Sequence, residues 1–204
     1  MKLPSHFNSV KGFIDHNEGI CLYNHALKSS KKGPILEIGS YCGKSTIYLA
    51  TAAKEYNGCV YSVDHHTGSE ENQVGWEYHD IELFDEETGR INSFPEFMRN
   101  LRKADLLDTV IPIVSESSLV SRNWKIPLSM VFIDGGHSEE AAFNDFNSWN
   151  EKVMKDGFLA IHDVFPNPED GGRPPYEVYL LALNSGKFEE YETVKSLKIL
   201  KKIL

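Results

Sequence analysis

Short apolar runs that stop at a glycine, an acid or a histidine constrain this chain more than any other feature. They are Ile35–Ile38, ending before Gly39; Cys59–Val63, ending at Asp64; Met130–Ile133, ending at Asp134; and Phe158–Ile161, ending at His162 and Asp163. Runs of this length bounded by turn residues read as buried strands. Between them, residues 16–30, 45–54, 94–104 and 139–155 carry apolar side chains at helical spacing. In the last of these, Ala142, Phe143, Phe146, Trp149 and Val153 share one face, and Gly157 ends the pattern. Val110–Val114 is a further strand interrupted by Pro112, Leu180 and Leu181 belong to another helix, and Phe188–Val194 with Ser196–Leu200 read as a terminal antiparallel pair. Strand–helix alternation implies right-handed βαβ units, hence an α/β protein with a mostly parallel sheet and helices on both faces. Such sheets bind ligands at the carboxyl ends of their strands, where the strand order reverses. The polar residues at the strand exits therefore line one edge, and chemistry is expected there.

A chain of 204 residues fits a single domain spanning 1–204, and no repeat or linker divides it. Residues 1–32 form an N-terminal helical segment. Thirty acidic against 21 basic residues give a formal charge of −9, which argues against a nucleic-acid or anionic-membrane partner. No apolar run is long enough to cross a bilayer, and the first residues lack the apolar core of a secretory signal. Cys21, Cys42 and Cys59 have no paired metal spacing and leave one over, so they read as reduced thiols of a cytoplasmic protein.

The segment Glu37-Ile-Gly-Ser-Tyr-Cys-Gly-Lys-Ser-Thr46 is a strand, a glycine turn and a helix start. Gly39 lets a ligand approach the backbone, and Gly43 turns free N–H groups outward at the helix start. Gly-Lys-Ser suggests a phosphate-binding loop, but that loop needs a glycine where Ile38 stands, and the dinucleotide pattern of three glycines is also absent. Asp64, 25 residues after Gly39 at the end of the next strand, is placed to accept hydrogen bonds from a ribose. Asp64-His65-His66 spells a phosphoesterase signature, but the upstream Asp-x-Asp of a two-metal site is missing. Asp134-Gly-Gly-His137 and His162-Asp163 form a second constellation: carboxylates at two strand ends that can converge on a divalent cation, with His137 suited to take a proton near neutral pH. The stretch Thr67–Asn92 is too long for an ordinary connection. With its flanks (65–93) it is a candidate substrate loop, in which Trp76 and Tyr78 offer stacking faces. Residues 165–176, rich in Pro and Gly, form a candidate active-site loop carrying Arg173.

Taken in order, these segments resemble the class I S-adenosylmethionine-dependent methyltransferases. Within them the chain is similar to the small metal-dependent O-methyltransferases, which include catechol O-methyltransferase and the macrolide-sugar O-methyltransferases. The likeness is carried by Glu37–Ser45, by Asn100–Leu106 and Val114–Ser117, by Phe132–His137 and by Ala160–Val164, and covers roughly residues 16–164. It implies a Rossmann-like methyltransferase fold: a seven-stranded sheet with a terminal antiparallel strand. It implies that Gly39, Ser40, Tyr41, Gly43 and Ser45 hold the methionine end of S-adenosylmethionine, with Glu37 behind the turn. Asp64 would bind the ribose, His65 would lie against the adenosine, and Glu116 and Ser117 would edge the adenine. Asp134, shared with the cofactor site, would ligate a divalent metal with His162 and Asp163, Mg²⁺ or Mn²⁺ ahead of Zn²⁺ or Fe²⁺, and His137 would be the base. His162 departs from the acidic residue often found there. The 67–92 stretch matches nothing in the catechol enzymes, so the acceptor does not carry over.

The expected reaction is methyl transfer to a hydroxyl of a small molecule. A metal-dependent hydrolase using Asp134, His137, His162 and Asp163, or a cofactor-binding protein without catalysis, are the alternatives. A homo-oligomer stays open.

Overall fold

A computed structural model of the protein describes residues 1–69, 75 and 80–204. In chain order its elements are α1 (His16–Ser29), β1 (Ile35–Ile38), α2 (Lys44–Lys54), β2 (Val60–Asp64), β3 (Phe84–Asp85), β4 (Arg90–Ile91), α3 (Phe94–Lys103), β5 (Val110–Val114), α4 (Ser117–Ser121), β6 (Leu128–Ile133), α5 (Glu139–Trp149), β7 (Val153–Ile161), α6 (Pro174–Asn184), β8 (Phe188–Val194) and β9 (Leu197–Lys202). Among the described residues, seven strands form one sheet in the order β5-β2-β1-β6-β7-β9-β8. The first five run parallel, and β9 lies antiparallel to both β7 and β8. This is the mostly parallel α/β sheet that the apolar runs imply.

The strands read as unbroken apolar runs because helices cover both faces and leave no solvent side for polar residues. β1 and β6 are buried at every position. Alternate side chains feed two cores. Ile35, Met130, Phe132 and Ala160 pack against Leu22 and Ala26 of α1, Ile47 and Leu49 of α2 and Phe97 of α3. Leu36, Val131, Ile133 and Leu159 pack against Phe146 and Trp149 of α5 and Val178 of α6. No helix among the described residues is long and apolar enough to cross a membrane.

Three local expectations are corrected. The helix read over 139–155 ends at Trp149; the Asn150 side chain donates to the Phe146 carbonyl, and Val153 already pairs with Leu128 as the first residue of β7. Val153 fits the helical spacing only because it lies four residues after Trp149. Gly157 lies inside β7, not at a helix end. A Cβ there would stand 2.8 Å from the Met154 carbonyl and 2.9 Å from that of Ser129. The 67–92 stretch contains the β3–β4 pair, whose Leu83 and Ile91 flank bury against Cys42 under the glycine turn. The base of this insertion is tied by Ser93, whose N–H donates to the His66 carbonyl and whose hydroxyl lies 2.8 Å from His66 Nδ1. Trp76, Tyr78 and His79 lie outside the described residues. Pro112 sits in β5, an edge strand, where a missing N–H costs no ladder bond on the open side. The short α4 had no sequence signal, and α6 begins at Pro174, within the Pro- and Gly-rich 165–176 stretch.

The strand order reverses between β1 and β6, and there the backbones nearly touch. Asp134 N–H donates to the Ile38 carbonyl at 2.9 Å. Gly39 has φ +82°, and a Cβ on it would stand 2.0 Å from the Asp134 carbonyl oxygen. The missing side chain thus makes room for the protein's own chain. Gly186 has φ +69° but nothing within 4 Å of such a Cβ. Gly186→Ala should therefore cost only the left-handed penalty, about 1–2 kcal/mol. Gly39→Ala adds a backbone collision and should lower the melting temperature at least twice as far, at roughly 2–4 °C per kcal/mol. Equal losses in a thermal melt would contradict this account of the junction.

Candidate active site at the strand ends

On one side of the junction lies the glycine turn. Its shape is set by Asp64 at the end of β2, which accepts hydrogen bonds from Ser40 N–H (2.9 Å) and Tyr41 N–H (2.8 Å) on Oδ2 and from His66 N–H (2.7 Å) on Oδ1. The turn can then enter α2 through Gly43, left-handed at φ +90°. From the far side, the Asn100 amide of α3 donates to the Cys42 carbonyl at 3.0 Å. Tyr41 donates its hydroxyl to Asp80 (3.1 Å), which also pairs with Lys11 at 2.6 Å. The N-terminal segment and the end of the insertion thus meet over the turn. Ser40 Oγ is buried with no hydrogen-bond partner among the described residues. It is a polar group left over in the turn, which suits a ligand-binding loop.

Beneath the turn, Glu37 is fully buried. Its carboxylate accepts the hydroxyls of Ser45 (2.7 Å), Thr46 (2.5 Å) and Ser62 (2.9 Å). Burial raises its pKa to about 7, the three hydroxyls pull it back, and the nearby charge of Asp134 adds to the rise. Ser45 is therefore committed to Glu37. The β5 end joins through Ser115 N–H, which donates to the Asp64 carbonyl. Glu116 stands at the N-terminal end of α4, and the Ser117 hydroxyl donates to Asp145 of α5. Asp145 was not anticipated. It is mostly buried, and burial lifts its pKa to about 6. An acid three residues after Ala142 and four before Trp149, on the buried face of α5, is the signal that could have found it. His65 turns its Nδ1 to the Thr67 hydroxyl at 2.8 Å.

On the other side of the junction, the ends of β6 and β7 bring Asp134, His162 and Asp163 together. His162 is buried, with Nδ1 2.9 Å from Asp134 Oδ1 and 3.2 Å from Asp163 Oδ2. His137 Nε2 lies 2.9 Å from the same Asp163 oxygen, and its ring is one-third exposed. The 165–173 loop closes over it: a Cβ at Gly172 would stand 3.8 Å from that of His137. A narrow crevice of about 20 Å³, room for little more than a water, lies beside these groups, between the strand ends and α5 and α6. Burial opposes charge on His162, but Asp134, Asp163 and Glu18 outweigh it and hold the ring protonated far above the usual imidazole range. Burial likewise opposes charge on Asp163, and His137 and His162 keep its carboxyl well below the usual range. The carboxylates thus favour positive charge at Nδ1, whether a proton or a metal ion. Neighbouring ligands on a six-coordinate ion with bonds of about 2.1 Å stand about 3 Å apart. The separations of Nδ1 from the two carboxylate oxygens match that spacing, and all three donor atoms lie within 4.8 Å of one another.

The other nitrogen of His162 revealed a second unanticipated residue. Nε2 lies 3.1 Å from Glu18 Oε2, in α1. Glu18 is the second half of a capping box with Asp15, which is how Asp-x-x-Glu reads in sequence.

Residues 36–164 match the family model of a methyltransferase domain. The fold is similar to that of the O-methyltransferase TomG from Streptomyces achromogenes, involved in tomaymycin synthesis and solved with SAM (15% identity, TM-score 0.65, 94% of this chain and 82% of that one). It is similar to the O-methyltransferase from Bacillus cereus solved with SAH (17%, 0.64, 98% and 84%). It is also similar to the SAH-bound methyltransferase PaMTH1 of Podospora anserina (11%, 0.66, 93% and 80%). The hydrolase alternative finds no support in these matches.

Glu37 makes a testable contribution to stability. Its ordinary pKa is 4.5 and its folded value about 7, so between these pH values the folded protein keeps a proton that the unfolded chain has released. The stability contribution is full below 4.5 and lost as pH rises through 7. The gap corresponds to about 3 kcal/mol. Glu37→Gln keeps partners for all three hydroxyls, which can rotate to accept. In urea titrations, the stability of the variant relative to wild type should rise by roughly 2–3 kcal/mol from pH 5 to pH 8. A constant difference would mean that Glu37 ionises normally.

Proposed function

Because the chain belongs to the family of methyltransferase domains, we propose that it moves a methyl group from S-adenosylmethionine to a hydroxyl of a small molecule, using a divalent cation. The observation that carries this reading is the convergence of His162 Nδ1, Asp134 Oδ1 and Asp163 Oδ2 beside His137, one strand away from a glycine turn fixed by Asp64. The solved similar structures that hold SAM or SAH support the cofactor.

Gly39, Ser40, Tyr41 and Gly43 would hold the methionine end of the cofactor, with Ser45 and Glu37 bracing the turn from below. Asp64 would meet the ribose with the lone pairs its three backbone partners leave free. His65 would face the adenosine, and Glu116 and Ser117 would edge the adenine, backed by Asp145. Asp134, His162 and Asp163 would hold the cation, which would lower the pKa of the acceptor hydroxyl and orient it. His137 takes the proton. Its contact with Asp163 fixes the ring, as a third group does for other catalytic bases. The cofactor would supply the methyl group to the acceptor oxygen, its sulfur–carbon bond giving way as the oxygen–carbon bond forms. The acceptor would approach from the exposed side of His137. Cytoplasmic placement fits the three free cysteines.

Calorimetric titration with S-adenosylhomocysteine, with and without Mn²⁺ or Mg²⁺, tests the reading. Micromolar binding is expected, and no binding would sink it. His137→Ala should lower kcat by about 10²–10⁴ with cofactor affinity unchanged; full activity in that variant would remove His137 as the base.

A further inference from the structure

Glu18 stands outside the matched domain and outside every role assigned above. Its carboxylate is buried in α1, yet five donors converge on it. Oε1 accepts Ser196 N–H (3.0 Å), the Ser196 hydroxyl (2.8 Å) and Leu197 N–H (3.1 Å) from the β8–β9 turn. Oε2 accepts Asp15 N–H (3.1 Å) and faces His162 Nε2 (3.1 Å). A carboxylate so held cannot turn away, and it accepts only. It therefore requires a proton on Nε2, so that when a cation replaces the proton shared with Asp134 and Asp163, Nδ1 is the nitrogen that meets it.

We infer that Glu18 is a positioning residue: it fixes the tautomer of His162 so that Nδ1 is available as a ligand to a divalent cation. Histidines that bind metals donate their second N–H in this way, and the partner orients the ring and raises its basicity. His25 shows the contrast. It too lies among candidate ligands, with Cys21 and with Glu192 2.8 Å from its Nε2, but its Nδ1 is buried without a partner among the described residues, so no second hydrogen bond sets the tautomer of that ring.

The inference rests on the cation reading and is tested separately from it. In Glu18→Gln, the amide oxygen takes the place of Oε1, where three donors converge, and the NH₂ faces Nε2. A donor opposite Nε2 moves the ring proton to Nδ1, into the place of the cation. Mn²⁺ binding, followed by the loss of its free EPR signal, should weaken about 10–100-fold. In the same variant, ¹⁵N NMR of the ion-free protein should show Nε2 bare and Nδ1 protonated, where the wild-type ring carries a proton on both nitrogens, a change that a mere loss of packing would not produce. The loss of the Asp15 contact costs stability in the variant. In the wild type with Mg²⁺ bound, His162 should show Nε2 protonated and Nδ1 bare. A wild type that binds neither ion, or binds equally after Asp134→Asn, overturns the cation reading and this inference together. Wild-type binding with Glu18→Gln within twofold, or with Nε2 bare in the Mg²⁺-loaded protein, overturns the inference alone.

Discussion

The near-contact of two backbones at the reversal of the strand order organises everything else. β1 and β6 run side by side until Ile38 and Ile133, and then part. Because Gly39 carries no side chain, the Asp134 carbonyl can lie against it. One chain turns over α2 as the glycine loop, and the other carries Asp134 towards His162. The proposed donor site and the proposed acceptor site are therefore the two sides of one seam. A widening there would separate the sulfonium from the hydroxyl, and alignment of reacting atoms is where such a reaction gains most of its rate.

Much of this was legible from local pattern. Buried parallel strands announce themselves as apolar runs, and their polar exits mark the working edge, so Asp64, Asp134, His162 and Asp163 stood out from position alone. What was not legible is nonlocal. Gly39 reads as an opening for a ligand, because the carbonyl that fills the space comes from residue 134. Ser45 reads as a ligand contact, while in the fold its hydroxyl serves Glu37. Glu18 is half of a capping box in the first turn of α1, and its other partner, His162, lies 144 residues away. Asp145 is one acid in an amphipathic helix until α4 folds against it. Val153 was misassigned for the opposite reason: its local spacing suits a helix, and its pairing with Leu128 decides otherwise.

The two halves of the site handle buried charge differently. Glu37 has only hydroxyl partners, so its ionisation is expensive and its pKa rises. Glu18 and Asp163 face an imidazole, whose charge keeps them ionised although burial opposes it. Removing one member of such a cluster leaves the others unpaired in a low-dielectric place, where the cost is greater than that of a surface pair.

The hydrogen bonds from Ser196 and Leu197 to Glu18 span 178 and 179 positions. During synthesis, α1 leaves the ribosome long before its partners exist. Until the β8–β9 turn arrives, Glu18 lacks three of its five donors and has no reason to hold the imidazole in place. The parallel strands can assemble earlier, but the geometry proposed to hold a cation becomes defined only when the last hairpin closes, a contact of the longest range in the chain's site and one that must wait on loop closure.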